Sequence, residues 1–154
     1  ARLSLEHDWQ VRFIEMMPFA GVTELQTNQA VATTQMQEKI KAALGKLEPV
    51  GNGKLDGEAR IYRLPGARGE LGFISSVTQP FCAECTRARL TADGRLRLCL
   101  LREGEVDLLT ALRSGASNAE LRQIILDGIW LKPWGHGLAE GQIPLNRAMS
   151  EIGG

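Results

Sequence analysis

The sequence predicts an α/β (α+β) fold, a strand and helix followed by a small antiparallel sheet and further helices. Three observations carry that prediction. The run at residues 10–17 (QVRFIEMM) is rich in large apolar and β-branched residues and stops at Pro18, which reads as a mostly buried strand. Val31, Met36, Ile40, Ala43, Leu44 and Leu47 recur at helical spacing, and Thr34 with Gln37 fits a capping box, so a helix is expected over about 34–47. Two strand-like runs flank Thr91-Ala92-Asp93-Gly94-Arg95, a turn that makes them a hairpin.

The remaining elements follow in order. Gly51-Asn52-Gly53 marks a loop, and residues 59–64 and 70–77 read as two strands separated by Pro65-Gly66-Ala67-Arg68-Gly69. A short helix is expected from Asp107 or Leu108 to Arg113, ending near Gly115. Ser117 and Glu120 make a second capping box, and the helix after it runs to about Leu131 before Lys132-Pro133 stops it. From Trp134 onward the chain is Gly-rich and lightly patterned, the pattern of a mobile tail or one docked on a partner.

The bulk numbers exclude several classes. A chain of 154 residues, 44% apolar and 23% charged, buries a core of its own and is not disordered as a whole. Net charge is zero, so no global field draws it to nucleic acid or to a membrane surface. No apolar run is long enough to span a bilayer. The cysteines look like ligands and no secretory signal opens the chain, which points to a reducing, cytoplasmic setting.

All three cysteines, Cys82, Cys85 and Cys99, belong to one C-x2-C-x13-C array. An odd number cannot pair off completely as disulfides. Two cysteines separated by two residues turn toward one metal, and a third returns to it on a hairpin. Three thiolates leave a tetrahedral zinc, or one iron of a four-iron cluster, without a cysteine ligand. Zinc closed by His136 or His7 is the structural alternative, a zinc-stabilised interaction module without catalysis. An open iron–sulfur centre is the functional one.

The hairpin register is set by alternation. A two-residue Asp93-Gly94 loop mixes polar and apolar residues on both faces. A three-residue Ala92-Asp93-Gly94 loop with Gly94 left-handed collects Ala88, Leu90, Leu96 and Leu98 on one face and Arg87, Arg89, Arg97 and Cys99 on the other, with Cys99 opposite Arg87. The second register is preferred. It sets arginine forks, which match phosphate, beside a thiolate-held metal. Arg95 and Arg102 add to the same basic cluster, although such arginines are commonly just the solvated face of a hairpin. By default Met16-Met17 would be core packing, Arg12 would point to an exposed edge, and Gly153-Gly154 would be disordered.

These residues resemble the C-terminal portion of the GTP 3′,8-cyclases, radical S-adenosylmethionine enzymes of molybdenum-cofactor biosynthesis. The resemblance rests on Arg12-Phe13-Ile14-Glu15-Met16-Met17-Pro18, Ala59-Arg60-Ile61-Tyr62-Arg63, Gly72-Phe73-Ile74-Ser75, the array from Phe81 to Leu100, Asp107-Leu108, Lys132-Pro133 and Met149-Ser150-x-Ile152-Gly153-Gly154. It implies a 4Fe-4S cluster on Cys82, Cys85 and Cys99 whose free iron meets the purine of GTP. It also implies GTP contacts from Arg87, Ala88, Arg89 and Arg12, an S-adenosylmethionine contact from Met17, and an active-site tail at Gly153 and Gly154. On this reading residues 1–50 are the last strand and helix of a partial TIM-type barrel, and 51–154 form the cluster- and GTP-binding region. The N-terminal C-x3-C-x2-C motif that cleaves S-adenosylmethionine is absent, so the chain alone is expected to be inactive. Its expected partners are GTP, the missing barrel half and a second copy in a homodimer, with no nucleic acid and no membrane.

Overall fold

The computed structural model describes residues 1–18, 20–22, 28–51 and 55–152. They divide into two compact units, one built from 1–17 and the described residues of 25–81, the other from the described residues of 18–24 and 82–154.

The first unit holds α1 (Leu3–Glu6), β1 (Gln10–Ile14), α2 (Thr33–Leu44), β2 (Glu48–Pro49), β3 (Leu55–Asp56), β4 (Ala59–Arg63) and β5 (Glu70–Ile74). Its sheet runs β1-β5-β4-β2, with β3 also on β4. β1 lies parallel to β5, Arg12 opposite Gly72, while the other pairs are antiparallel. The opening strand is therefore an edge strand ending at Ile14, and it is only half-buried: Gln10, Arg12 and Ile14 face outward in strict alternation with Val11 and Phe13. That corrects the expectation of a mostly buried strand. An apolar run cannot by itself distinguish two covered faces from one.

Helix α2 begins one residue earlier than expected and ends three earlier. Ala32 is its N-cap, and the Gln35 side chain accepts from the Ala32 N–H at 3.3 Å. The predicted Thr34–Gln37 box is not the one used. Gly45, at φ 104°, ends the helix, which frees Leu47 to turn into the core. There Leu47, Leu64, Leu71 and Phe73 are buried, with Val11, Phe13, Met36, Ile40 and Leu44 packed against them. Each such side chain contributes about 1.5–3 kcal/mol on full burial.

The second unit holds a 3-10 turn (Cys82–Glu84), β6 (Arg89–Leu90), β7 (Arg95–Arg97), β8 (Glu105–Asp107), α3 (Leu109–Arg113), α4 (Asn118–Trp130), a 3-10 turn (Gly137–Glu140) and α5 (Met149–Ile152). Strands β6, β7 and β8 form a separate antiparallel sheet. Asp107 caps α3 through Thr110, whose N–H donates at 3.0 Å and whose hydroxyl donates at 2.8 Å. The Ser117–Glu120 box opens α4 as predicted: Ser117 Oγ accepts from the Glu120 N–H, and the Glu120 carboxylate accepts from the Ser117 N–H at 2.8 Å. Gly128 lets α4 approach β8, since a Cβ there would stand 2.7 Å from Val106 Cγ2.

The segment after Trp134 is docked within its own unit. Ile152 and Pro144 are fully buried, and Glu103 accepts from the Leu145 and Asn146 N–H groups at 2.6 and 3.0 Å. Arg147 donates to Asp93 at 2.7 Å and grips Glu105 through both Nη2 and Nε. These anchors lie far away in sequence, which is why local patterning read the segment as loose. Gly153 and Gly154 lie outside the described residues, as do Asn52 and Gly53 of the predicted loop. No helix among the described residues is long and apolar enough to cross a membrane.

Candidate metal centre

The cysteine hairpin adopts the three-residue register. Arg89 pairs with Arg97 and Leu90 with Leu96, and the ladder ends there. Thr91 closes the loop: its N–H donates to Arg95 O at 2.9 Å, and its Oγ accepts from the Arg95 N–H at 3.0 Å. Gly94 sits at φ 72°, and a Cβ on it would also stand 2.6 Å from Leu109 Cβ. Only glycine meets both conditions.

The 3-10 turn bends Cys85 back over Cys82, with the Cys85 N–H donating to Cys82 O at 3.2 Å. All three cysteines are free and partly buried. Burial pushes the Cys99 thiol above its ordinary pKa. The Leu101 N–H and the Lys132 charge pull it down, while Cys82 and Cys85 each push it up. Among the described residues no group of three His, Cys, Asp or Glu side chains is gathered tightly enough to hold a metal ion. The array is thus folded into one hairpin without its three thiols being gathered as a metal site among the described residues. His136 Nδ1 accepts from the Leu138 N–H at 3.4 Å, and its Nε2 is buried without a hydrogen-bond partner.

The arginines divide in a way the alternation did not foresee. Arg97 was expected on the site face, yet it is the largest fully buried side chain, donating to Glu105 at 3.1 Å with Glu103 at 3.7 Å. Arg95 pairs with Asp107 and Arg102 with Glu140. Leu90, expected in the core, is 62% exposed. Arg87 is partly buried, Arg89 pairs with no carboxylate among the described residues, and Ala88 between them is exposed.

In the first unit Arg12 is exposed and engaged: Nη2 meets Asp56 at 3.0 Å and Nε donates to Gln10 at 2.6 Å. Its stem crosses Gly72, where a Cβ would stand 3.0 Å from Arg12 Cγ. Met17 is half-buried, just past the buried Glu15. The Glu15 carboxylate accepts from the N–H groups of Thr33, Val77 and Thr78 at 2.8–2.9 Å and from the Thr78 hydroxyl. Burial alone would raise its pKa, but those bonds outweigh it and hold the group at about 2.

Sequence reasoning passed over Glu15, Arg147 and Lys132 as functional groups. An acid inside the apolar run at 10–17 was a legible signal for Glu15. Lys132 stood out only as a helix stop and within the Lys132-Pro133 match, yet its ammonium donates to Leu98 O at 2.7 Å and to Arg87 O.

Comparison with known proteins gives a consistent answer. Residues 9–138 match the family model described as Molybdenum Cofactor Synthesis C. The chain is similar to the GTP 3′,8-cyclase of Thermodesulfovibrio yellowstonii, 46% identical over 96% of this chain and 44% of that protein. It is similar to those of Pelotomaculum thermopropionicum and Nostoc punctiforme, each 40% identical over the whole chain and 47% and 48% of their lengths. It thus spans a little under half the length of these curated relatives. With a family model matching most of its length and the expected cysteine hairpin in place, the chain belongs to the Molybdenum Cofactor Synthesis C family.

Proposed function

We propose that this chain is the substrate-side part of a GTP 3′,8-cyclase of molybdenum-cofactor biosynthesis, a cytoplasmic lyase. The observation that carries the reading is the hairpin, paired at Arg89–Arg97 and Leu90–Leu96, which brings the segments of Cys85 and Cys99 to one end, with Arg89 there lacking a carboxylate partner among the described residues. Cys82, Cys85 and Cys99 would hold a 4Fe-4S cluster, which when bound supplies an open, Lewis-acidic iron for the guanine ring. The chain's own part is to bind and orient. Arg87 and Arg89 offer planar forks to the triphosphate, and the small Ala88 leaves room between them. By resemblance Arg12 adds a further GTP contact, Met17 touches S-adenosylmethionine, and Gly153-Gly154 enters the active site, where the lack of side chains permits close approach.

In the whole enzyme a 5′-deoxyadenosyl radical would remove the 3′ hydrogen of GTP, leading to (8S)-3′,8-cyclo-7,8-dihydroguanosine 5′-triphosphate. Residues 1–50 would close the radical enzyme's barrel and 51–154 would hold cluster and nucleotide, in a homodimer. Holding substrate in place is itself a large share of such catalysis.

The test is metal and sulfide analysis after anaerobic reconstitution, followed by GTP titration. The expected result is a brown protein with about four irons and matching sulfide per chain. GTP affinity should fall about tenfold in Arg87→Ala or Arg89→Ala, the loss of a charge-assisted phosphate contact. One colourless zinc without sulfide would replace this reading with a zinc-stabilised module. Unchanged GTP affinity in both variants would remove the phosphate role.

A further inference from the structure

Lys132 joins the two arms of the cysteine array. Its ammonium donates to Leu98 O at 2.7 Å, the carbonyl immediately before Cys99, and to Arg87 O, two residues after Cys85. β6 and β7 pair over only two residues, and that pairing stops at Arg89 and Arg97, short of every cysteine. Beyond the ladder, the two bonds from Lys132 link the strands on the cysteine side.

The lysine is delivered from outside the hairpin. Helix α4 is started by the Ser117–Glu120 box and pressed against β8 at Gly128. Its last turn ends with the Leu131 and Lys132 N–H groups donating to Gly128 O and Ile129 O, both at 3.0 Å, and Pro133 prevents continuation. Lys132 therefore leaves the helix at a set point one turn beyond the close contact with Val106. An ammonium has three donors and no acceptor, so it can bridge two carbonyls at once, which a neutral apolar side chain of the same length cannot.

We propose that Lys132 is a positioning residue of the thiol site, tying the Cys82–Arg87 arm to the Cys99 arm through two carbonyls and so setting the spacing at which the three sulfurs meet a metal. This rests on the reading of the array as a metal centre, and it extends to Arg87, since the carbonyl that Lys132 holds belongs to the residue assigned to phosphate.

The experiment uses the whole 154-residue chain without metal and a short bis-maleimide, with products identified by peptide mass spectrometry. In the parent chain Cys99 should cross-link to Cys82 or Cys85. Lys132→Met should cut that yield about tenfold, the population change for losing a charge-assisted bond, while the Cys82–Cys85 product stays constant as the internal control. Lys132→Arg, which keeps charge and donors, should recover most of it. A Met variant that cross-links Cys99 like the parent overturns the proposal, as does an Arg variant no better than Met at equal thermal stability. Should the Met variant unfold, Lys132→Gln takes its place; it retains donors for one carbonyl, so an intermediate yield is expected and a parental one overturns the idea. Cross-linking needs no cluster. A parent chain that cross-links yet takes up no iron or sulfide would therefore sink the cluster reading while leaving the lysine's role intact.

Discussion

Glu15 shows what one buried carboxylate does in this fold. Its oxygens collect three backbone N–H groups and a hydroxyl, joining the end of β1, the first turn of α2 and the loop after β5. A carboxylate at a helix N-terminus is also favoured by the helix dipole. Glu15→Ala would leave those donors buried without partners, at a cost of about 3 kcal/mol, measurable by urea unfolding. The pH dependence has a definite sign. The folded-state pKa lies at about 2, below the ordinary 4.5, so this stabilisation is fully present above about 4.5 and is lost as pH falls toward 2. Parent and Glu15→Gln unfolding midpoints compared between those limits should converge; parallel curves would refute the assignment. Asp93 behaves alike at the surface, where the Arg147 guanidinium holds it at about 2 and keeps the C-terminal segment on the hairpin turn.

Among the elements, α4 and β1 make opposite demands. α4 must approach its sheet closely, and Gly128 is the residue that allows it. Gly128→Val would drive a side chain into Val106 and destabilise the second unit by about 2 kcal/mol through overpacking. Because the helix end delivers Lys132, the same variant should also lower Cys99 cross-linking. Normal stability with a parental cross-linking yield would separate helix and hairpin. β1 has the reverse problem. It is an edge strand with Ile14 58% exposed, and a free ladder of backbone donors and acceptors invites pairing. Ile14→Arg should reduce concentration-dependent self-association in light scattering without lowering the unfolding midpoint. The capping boxes mark how legibility varies at this scale. Ser117–Glu120 was readable because both partners are local, whereas Thr34–Gln37 was displaced when the distant Glu15 took the Thr33 N–H.

For the molecule as a whole, every cysteine is committed to one array. If Cys82, Cys85 and Cys99 hold the substrate-side cluster, none is left for cleaving S-adenosylmethionine. The reconstituted chain should therefore form no 5′-deoxyadenosine from S-adenosylmethionine and reductant, assayed by chromatography, while still binding GTP. Product formation would show that the array has the other role. The basic cluster counted from sequence shrinks in three dimensions, because Arg95, Arg97 and Arg102 are held by Asp107, Glu105 and Glu140. Arg87 and Arg89, the residues assigned to phosphate, are not among the three so held.

The sequence by itself determined the features whose causes are local. The C-x2-C turn, the three-residue loop with left-handed Gly94, the hairpin register and the Ser117 cap each follow from a few neighbouring residues whose backbone preferences agree. The family followed from the same residues. Tertiary structure alone decided which faces are covered and which charges are spent. β1 became an edge, Arg97 went inside to meet Glu105, the tail was pinned by Arg147 and Glu103, and Lys132 turned from a helix stop into a tie between the cysteine arms. Each of those outcomes joins residues far apart in the chain, and periodicity carries no information about what a side chain will meet across that distance.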